Sequence, residues 1–138
     1  MAGIKANYLF VYGYLMRKNR IINELGVPDM PVEYLGDGFI YGELYQVAGF
    51  PGLVYKLNKR SRAFGEIYLI KEQKRFFKEM DAYELSYPNY QEADAVYHRR
   101  VRPAHLMSGQ VLPCWVYEYT QPTDDLKRIK SGKFNLLY

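Results

Sequence analysis

Short apolar runs, each closed by a turn signal, follow one another along nearly all of this chain, and only one long segment carries clear helical spacing. Tyr8–Tyr12 is the first run. Gly36–Leu44 alternates Phe39, Tyr41 and Glu43 against Ile40, Gly42 and Leu44, the period of a strand with two unlike faces. A turn over Gly49–Val54 opens a third run that reaches Leu57, and a basic hairpin turn, Lys59–Arg62, precedes Phe64–Ile70. Val96–Arg102 and Val111–Tyr119 are joined across Ser108–Gly109. The clear helix is Lys71–Tyr83, where Phe76, Phe77, Met80 and Tyr83 form one apolar face. A shorter helix is expected from Met16 or Arg17 to Leu25, ended by Gly26 and Pro28. Another is expected over Thr123–Ile129, capped at Thr123 or Asp124. The apolar tail, Phe134 with Leu136–Tyr138, is expected to dock.

Strands joined mainly by turns, with few helices, imply an α+β domain. About six strands suffice to curl into a small barrel, which removes exposed edges. The 138 residues fit a single domain over 1–138, large enough for a real core. The net charge is +4 and the pI about 9.0. The basic residues are scattered, however. His98, Arg99, Arg100 and Arg102 alternate along a strand and so point to opposite faces, and no zinc spacing or arginine-rich tail is present. Nucleic acid is therefore not the expected partner. No stretch has the length of a membrane span and no signal-peptide pattern opens the chain, so no membrane partner is expected either. Cys114 is the sole cysteine, which excludes an intrachain disulfide and suits a reducing, cytoplasmic setting. It lies within an apolar run, where a thiol is buried and inert. His98 and His105 are not spaced as metal ligands, so neither a metal nor a cofactor is expected.

Two places could carry chemistry. Gly13 ends the first run between Tyr12 and Tyr14. A glycine between strand and helix is either a plain tight turn or a place where backbone N–H groups converge on an anion. Glu84 ends the main helix, three residues after Asp81. Acids at a helix C-terminus face the unfavourable end of its dipole, so they are either well-solvated surface groups or functional ones. A carboxyl among Tyr83, Tyr87 and Tyr90 would hold its proton toward neutral pH and could pass it on as a general acid or base. Trp115, Tyr117 and Tyr119 share one strand face, and Tyr119 stands at the strand end.

The blocks FVYGYLM, GFPGLVYK, AFGEIYLI, FFKEMDAYE, YHRRVRP, CWVYEY and IKSGKF, in that order from Tyr8 to Phe134, resemble the γ-glutamylcyclotransferase-like superfamily. The resemblance is to its AIG2-like and γ-glutamylamine cyclotransferase branch. It implies a small mixed β-barrel with flanking helices and an enzyme that releases 5-oxoproline from a γ-glutamyl amine or peptide without metal or cofactor. The implied catalytic residue is Glu84. The implied substrate-binding residues are Tyr12, Gly13, Tyr14 and Leu15, through main-chain N–H groups, and Tyr119 through its hydroxyl. The implied partner is the small γ-glutamyl substrate; the oligomeric state is left open. This chain has Tyr14 where the family usually has Ser or Thr, and Leu85 where it usually has Gly. Those two departures suit an alternative, a non-catalytic module that binds a small carboxylate on the same scaffold.

Overall fold

The structure, a computed structural model, describes residues 6–13, 32–84 and 97–134, with the side chains of 79–84 excepted. Its strands are β1 (Tyr8–Val11), β2 (Val32–Val47), β3 (Phe50–Tyr55), β4 (Arg62–Ile70), β5 (Tyr97–Leu106), β6 (Val111–Tyr119) and β7 (Arg128–Ile129); helix α1 spans Gln73–Glu84 between β4 and β5. Five of them close a ring in the order β1-β4-β2-β3-β6, with β6 returning to β1. β6 runs parallel to both β1 and β3, and the other pairings are antiparallel, so the barrel is mixed. β5 lies along β6 and touches β2 at Gly38 and Phe39.

Alternation along the strands makes two cores. Phe10, Tyr12, Ile40, Leu44, Leu53, Ala63, Ile67, Leu112, Cys114 and Val116 fill the barrel interior. Leu9, Val11, Ile70, Phe76 and Phe134 form a second cluster outside it, with Trp115 and Tyr117 packed against them. Successive strand residues point to opposite faces, so β1 and β6 each serve both cores. Helix α1 covers the outer face with Phe76 and Phe77, and Phe77 meets Trp115 edge-on at 5.4 Å. Cys114 is fully buried, and burial pushes its thiol up to about 12. Arg100 and Arg102 turn to Glu118, while Arg99 stacks on Phe77 at 3.9 Å from the ring centroid, so the basic run does split between faces.

Several features differ from the sequence expectation: β3 stops at Tyr55 rather than Leu57, and β5 runs past Arg102 to Leu106. β2 begins at Val32 rather than Gly36 and continues to Val47, with an irregularity in its pairing between Tyr34 and Gly36. The expected helix over Thr123–Ile129 is instead a turn, closed by Leu126 N–H to Thr123 O at 3.0 Å, leading into β7. The cause lies in β2. Its pairing with β4 ends at Tyr41, leaving an open edge beyond, and β7 pairs there with Leu44 and Tyr45. Satisfying buried backbone groups outweighs the local preference of a short capped segment. Phe134 docks as expected, 2% exposed. The short helix expected before Leu25, the loop after Glu84 and Leu136–Tyr138 lie outside the described residues.

Candidate active site

Gln73 Nε2 donates to Ala6 O at 2.9 Å and to Asn7 Oδ1 at 3.0 Å, which fixes the helix start beside the entry to β1. Phe76 belongs to the outer cluster with Leu9 and Val11. Gly13 follows the end of β1 at one rim of the barrel. The last turn of α1 holds no basic residue to offset the negative end of its dipole.

Tyr119 arrives at that rim from β6. The parallel pairs Tyr8–Cys114 and Leu9–Trp115, carried forward, set Val11 beside Tyr117 and Gly13 beside Tyr119. Between them stands the start of β3. A Cβ on Gly13 would sit 2.8 Å from Pro51 Cγ, and one on Gly52 would sit 3.0 Å from Tyr119 Cβ. Gly13 does not take a left-handed φ, so it is close approach to Pro51, not an unusual backbone angle, that calls for glycine here. Tyr97 completes the group: it is the strand partner of Tyr119, meets its ring at 5.7 Å, and donates its hydroxyl to Pro51 O at 2.9 Å.

Tyr12 points the other way, into the barrel. Its hydroxyl donates to Tyr117 O and accepts from Leu53 N–H at 3.2 Å, which ties β1 to β6 and β3 just below Gly13. The residues named from the sequence thus fall as follows. Gly13 and Tyr119 both lie at the start of β3, and Tyr12 braces that rim from beneath. Tyr14, Leu15 and the Glu84 side chain lie outside what is described. Sequence reasoning passed over Pro51, Gly52 and Tyr97. Folding β5 and β6 back around Ser108 would have set Tyr97 against Tyr119; nothing local in GFPGLV points to Gly13.

Among the described residues no three His, Cys, Asp or Glu side chains group as metal ligands, and no helix is long and apolar enough to cross a membrane. None of the curated proteins matches the chain. Several solved structures share the fold. An AIG2-like protein from Mus musculus is 23% identical with a TM-score of 0.65, over 88% of this chain and 82% of that one. YtfP from Escherichia coli is 26% identical with a TM-score of 0.59, over 92% and 95%. An uncharacterised protein from Pyrococcus horikoshii is 22% identical with a TM-score of 0.57, over 92% and 88%. A family model described as gamma-glutamyl cyclotransferase, AIG2-like, matches residues 9–136, nearly the whole span over which the sequence blocks carry the resemblance. The chain belongs to the γ-glutamyl cyclotransferase, AIG2-like family.

Proposed function

We propose that the protein releases 5-oxoproline from a γ-glutamyl amine or γ-glutamyl peptide, with Glu84 as general acid and base. What supports this reading is membership of the family together with Gly13, Pro51, Gly52 and Tyr119 gathered at one rim. Main-chain N–H groups from Tyr12 to Leu15 hold the substrate α-carboxylate. The Tyr119 hydroxyl donates to the γ-carbonyl oxygen as it gains charge.

Glu84 takes a proton from the α-ammonium. The freed amine attacks the γ-carbonyl carbon of the same molecule, so the site has only to hold a folded conformer. A C–N bond forms and the ring closes. The bond to the departing amine breaks as Glu84 returns the first proton to it, and the ring nitrogen gives up its second proton, by way of Glu84, to the freed amine, which leaves as an ammonium. No proton is gained or lost over the cycle, and the residues named suffice for each transfer. The cytoplasm is the setting this reading implies, and a small molecule the partner.

The test is direct. Purified protein is incubated with γ-glutamyl amines and dipeptides, and 5-oxoproline is followed by chromatography. Glu84→Gln is expected to lower kcat by about 10²–10⁴-fold with an unchanged circular dichroism spectrum. Turnover that survives the substitution refutes the role of Glu84. Binding of γ-glutamyl compounds by the native protein with no product formed would instead assign the scaffold to a carboxylate-binding module.

A further inference from the structure

Two segments far apart in the chain, residues 56–62 and 127–133, carry Lys56, Lys59, Arg60, Arg62, Lys127, Arg128, Lys130 and Lys133 and not one acid. The fold sets them side by side. Both ends of the first rest on β2, through Lys56 N–H to Tyr41 O at 3.1 Å and Gly42 N–H to Ser61 O at 3.0 Å. The second is held against it by the Arg128 guanidinium, which donates to Ser61 Oγ, and by Phe64 N–H donating to Gly132 O at 2.7 Å. Glu43 reaches Lys56 at 4.0 Å and Arg128 at 3.7 Å. Among the described residues no acid pairs with Lys59, Arg60, Arg62, Lys127, Lys130 or Lys133, and all six are exposed. Asp124 and Asp125, just ahead of the second segment, pair with none of them. Gathering like charges in this way works against the compact state. Leu57 stands among these cations 82% exposed, more than any other large hydrophobic residue described.

We propose that this face docks on a bilayer surface bearing anionic lipid headgroups, with Leu57 entering the boundary between headgroups and acyl chains. The uncompensated cations supply the attraction, about fivefold in affinity for each one near such a surface. The exposed leucine supplies an apolar tip that a lipid interface, unlike water, accepts. A chain that lies on a membrane needs no spanning segment, so the lack of a long apolar stretch does not bear on this contact. Single-stranded nucleic acid fits the face less well, because it binds by stacking bases on open aromatic rings. Here Lys59 sits 5.9 Å over Tyr41, Arg62 4.7 Å over Phe39 and Lys133 5.3 Å over Phe64, so those ring faces already carry cations. The docking is independent of the cyclotransferase reading and uses none of its residues.

The native protein is sedimented with vesicles of about three parts phosphatidylcholine to one of phosphatidylserine, and with vesicles of phosphatidylcholine alone. Binding is expected to the first and not to the second. It should fall steeply between about 0.1 M and 1 M salt, as the screening length shrinks from about 10 Å to about 3 Å. Lys59→Gln with Arg60→Gln is expected to weaken binding about 10–30-fold, and Lys127→Gln with Lys130→Gln by a similar factor. Leu57→Asn is expected to weaken it about fivefold. Lys74→Gln with Lys78→Gln removes the same charge from exposed positions on α1 and is expected to leave binding unchanged. An equal loss from the α1 pair would overturn the face in favour of net charge alone, and no binding to the anionic vesicles overturns it outright. Capture of oligouridylate in place of the vesicles, lost in the two loop pairs, overturns the lipid assignment and gives the face to nucleic acid. Should a loop pair fail to fold, Leu57→Trp decides: a blue shift of the added tryptophan on anionic vesicles supports the docking, and an unshifted emission overturns it.

Discussion

Tyr12→Phe tests the brace beneath the rim without changing the shape of the core. The substitution removes a single oxygen, but that oxygen serves two backbone groups, Tyr117 O and Leu53 N–H. Both belong to the seam between β3 and β6, whose ladder consists of the pair Leu53–Glu118. The hydroxyl therefore substitutes for sheet bonds that this seam lacks. Tyr12 is 7% exposed and Leu53 fully buried, so water does not readily replace the lost partner. Each orphaned buried group costs about 1–3 kcal/mol, and relaxation recovers part of that, so the expected loss is about 2–4 kcal/mol. Urea unfolding of both proteins, followed by tyrosine and tryptophan fluorescence, gives the difference directly. The denaturant slope should be unchanged, because the surface exposed on unfolding is the same. A loss below about 0.5 kcal/mol, the scatter of ordinary surface substitutions, would refute the claim that the hydroxyl holds the seam.

Arg102→Met leaves Glu118 buried with only Arg100 nearby, at 3.8 Å, and is expected to cost about 2–4 kcal/mol; Glu118→Gln in the same background should recover part of it. Thermal melts of the four proteins in the cycle measure the coupling. Cys114 is held protonated in the fold, from an ordinary value of 9.0 up to about 12, while the unfolded thiol ionises near 9. The unfolded chain thus releases the proton first, and stability falls as pH rises from about 9 toward 12. Between pH 8 and pH 10 the native protein should lose about 1.4 kcal/mol more than Cys114→Ala, read from urea midpoints at each pH. Gly65→Ala would place a Cβ 2.1 Å from Val11 O, so β1 and β4 must part there; a loss of more than about 2 kcal/mol in urea unfolding is expected. Gly13→Ala would place a Cβ 2.8 Å from Pro51 Cγ, so the turn must move off β3, and KM for γ-glutamyl substrates is expected to rise, read from steady-state kinetics.

Local periodicity carried much of this fold. β6 appears with the very bounds that its apolar run suggests, and α1 within two residues, because strong alternation and a helical stripe agree with where the burial falls. β7 was not legible, since what creates it is an open edge of β2 that exists only after β4 has paired. The same division runs through the candidate site. Gly13 and Tyr119 can be picked out locally, as a glycine among tyrosines and as a strand-end phenol. Pro51 cannot, because its nearness to Gly13 comes from strands that meet only in the closed ring. Tyr12 shows the limit of reading a flanking residue by its neighbour: alternation turns its ring inward, away from the side Gly13 serves.

The parallel contact between β1 and β6 has a consequence for biosynthesis. Tyr12 reaches a carbonyl 105 positions further along the chain, and that carbonyl belongs to the last long strand. A nascent chain emerging from the ribosome can fold β2 on β3 and β4 early, but the wall stays open until β6 is released. Contacts this distant in sequence slow the search for the native state and leave strand edges bare meanwhile. Chains stopped short of β6 should accordingly clump rather than persist as a soluble fragment, and the rim that joins Gly13 to Tyr119 comes into being only at the final closure.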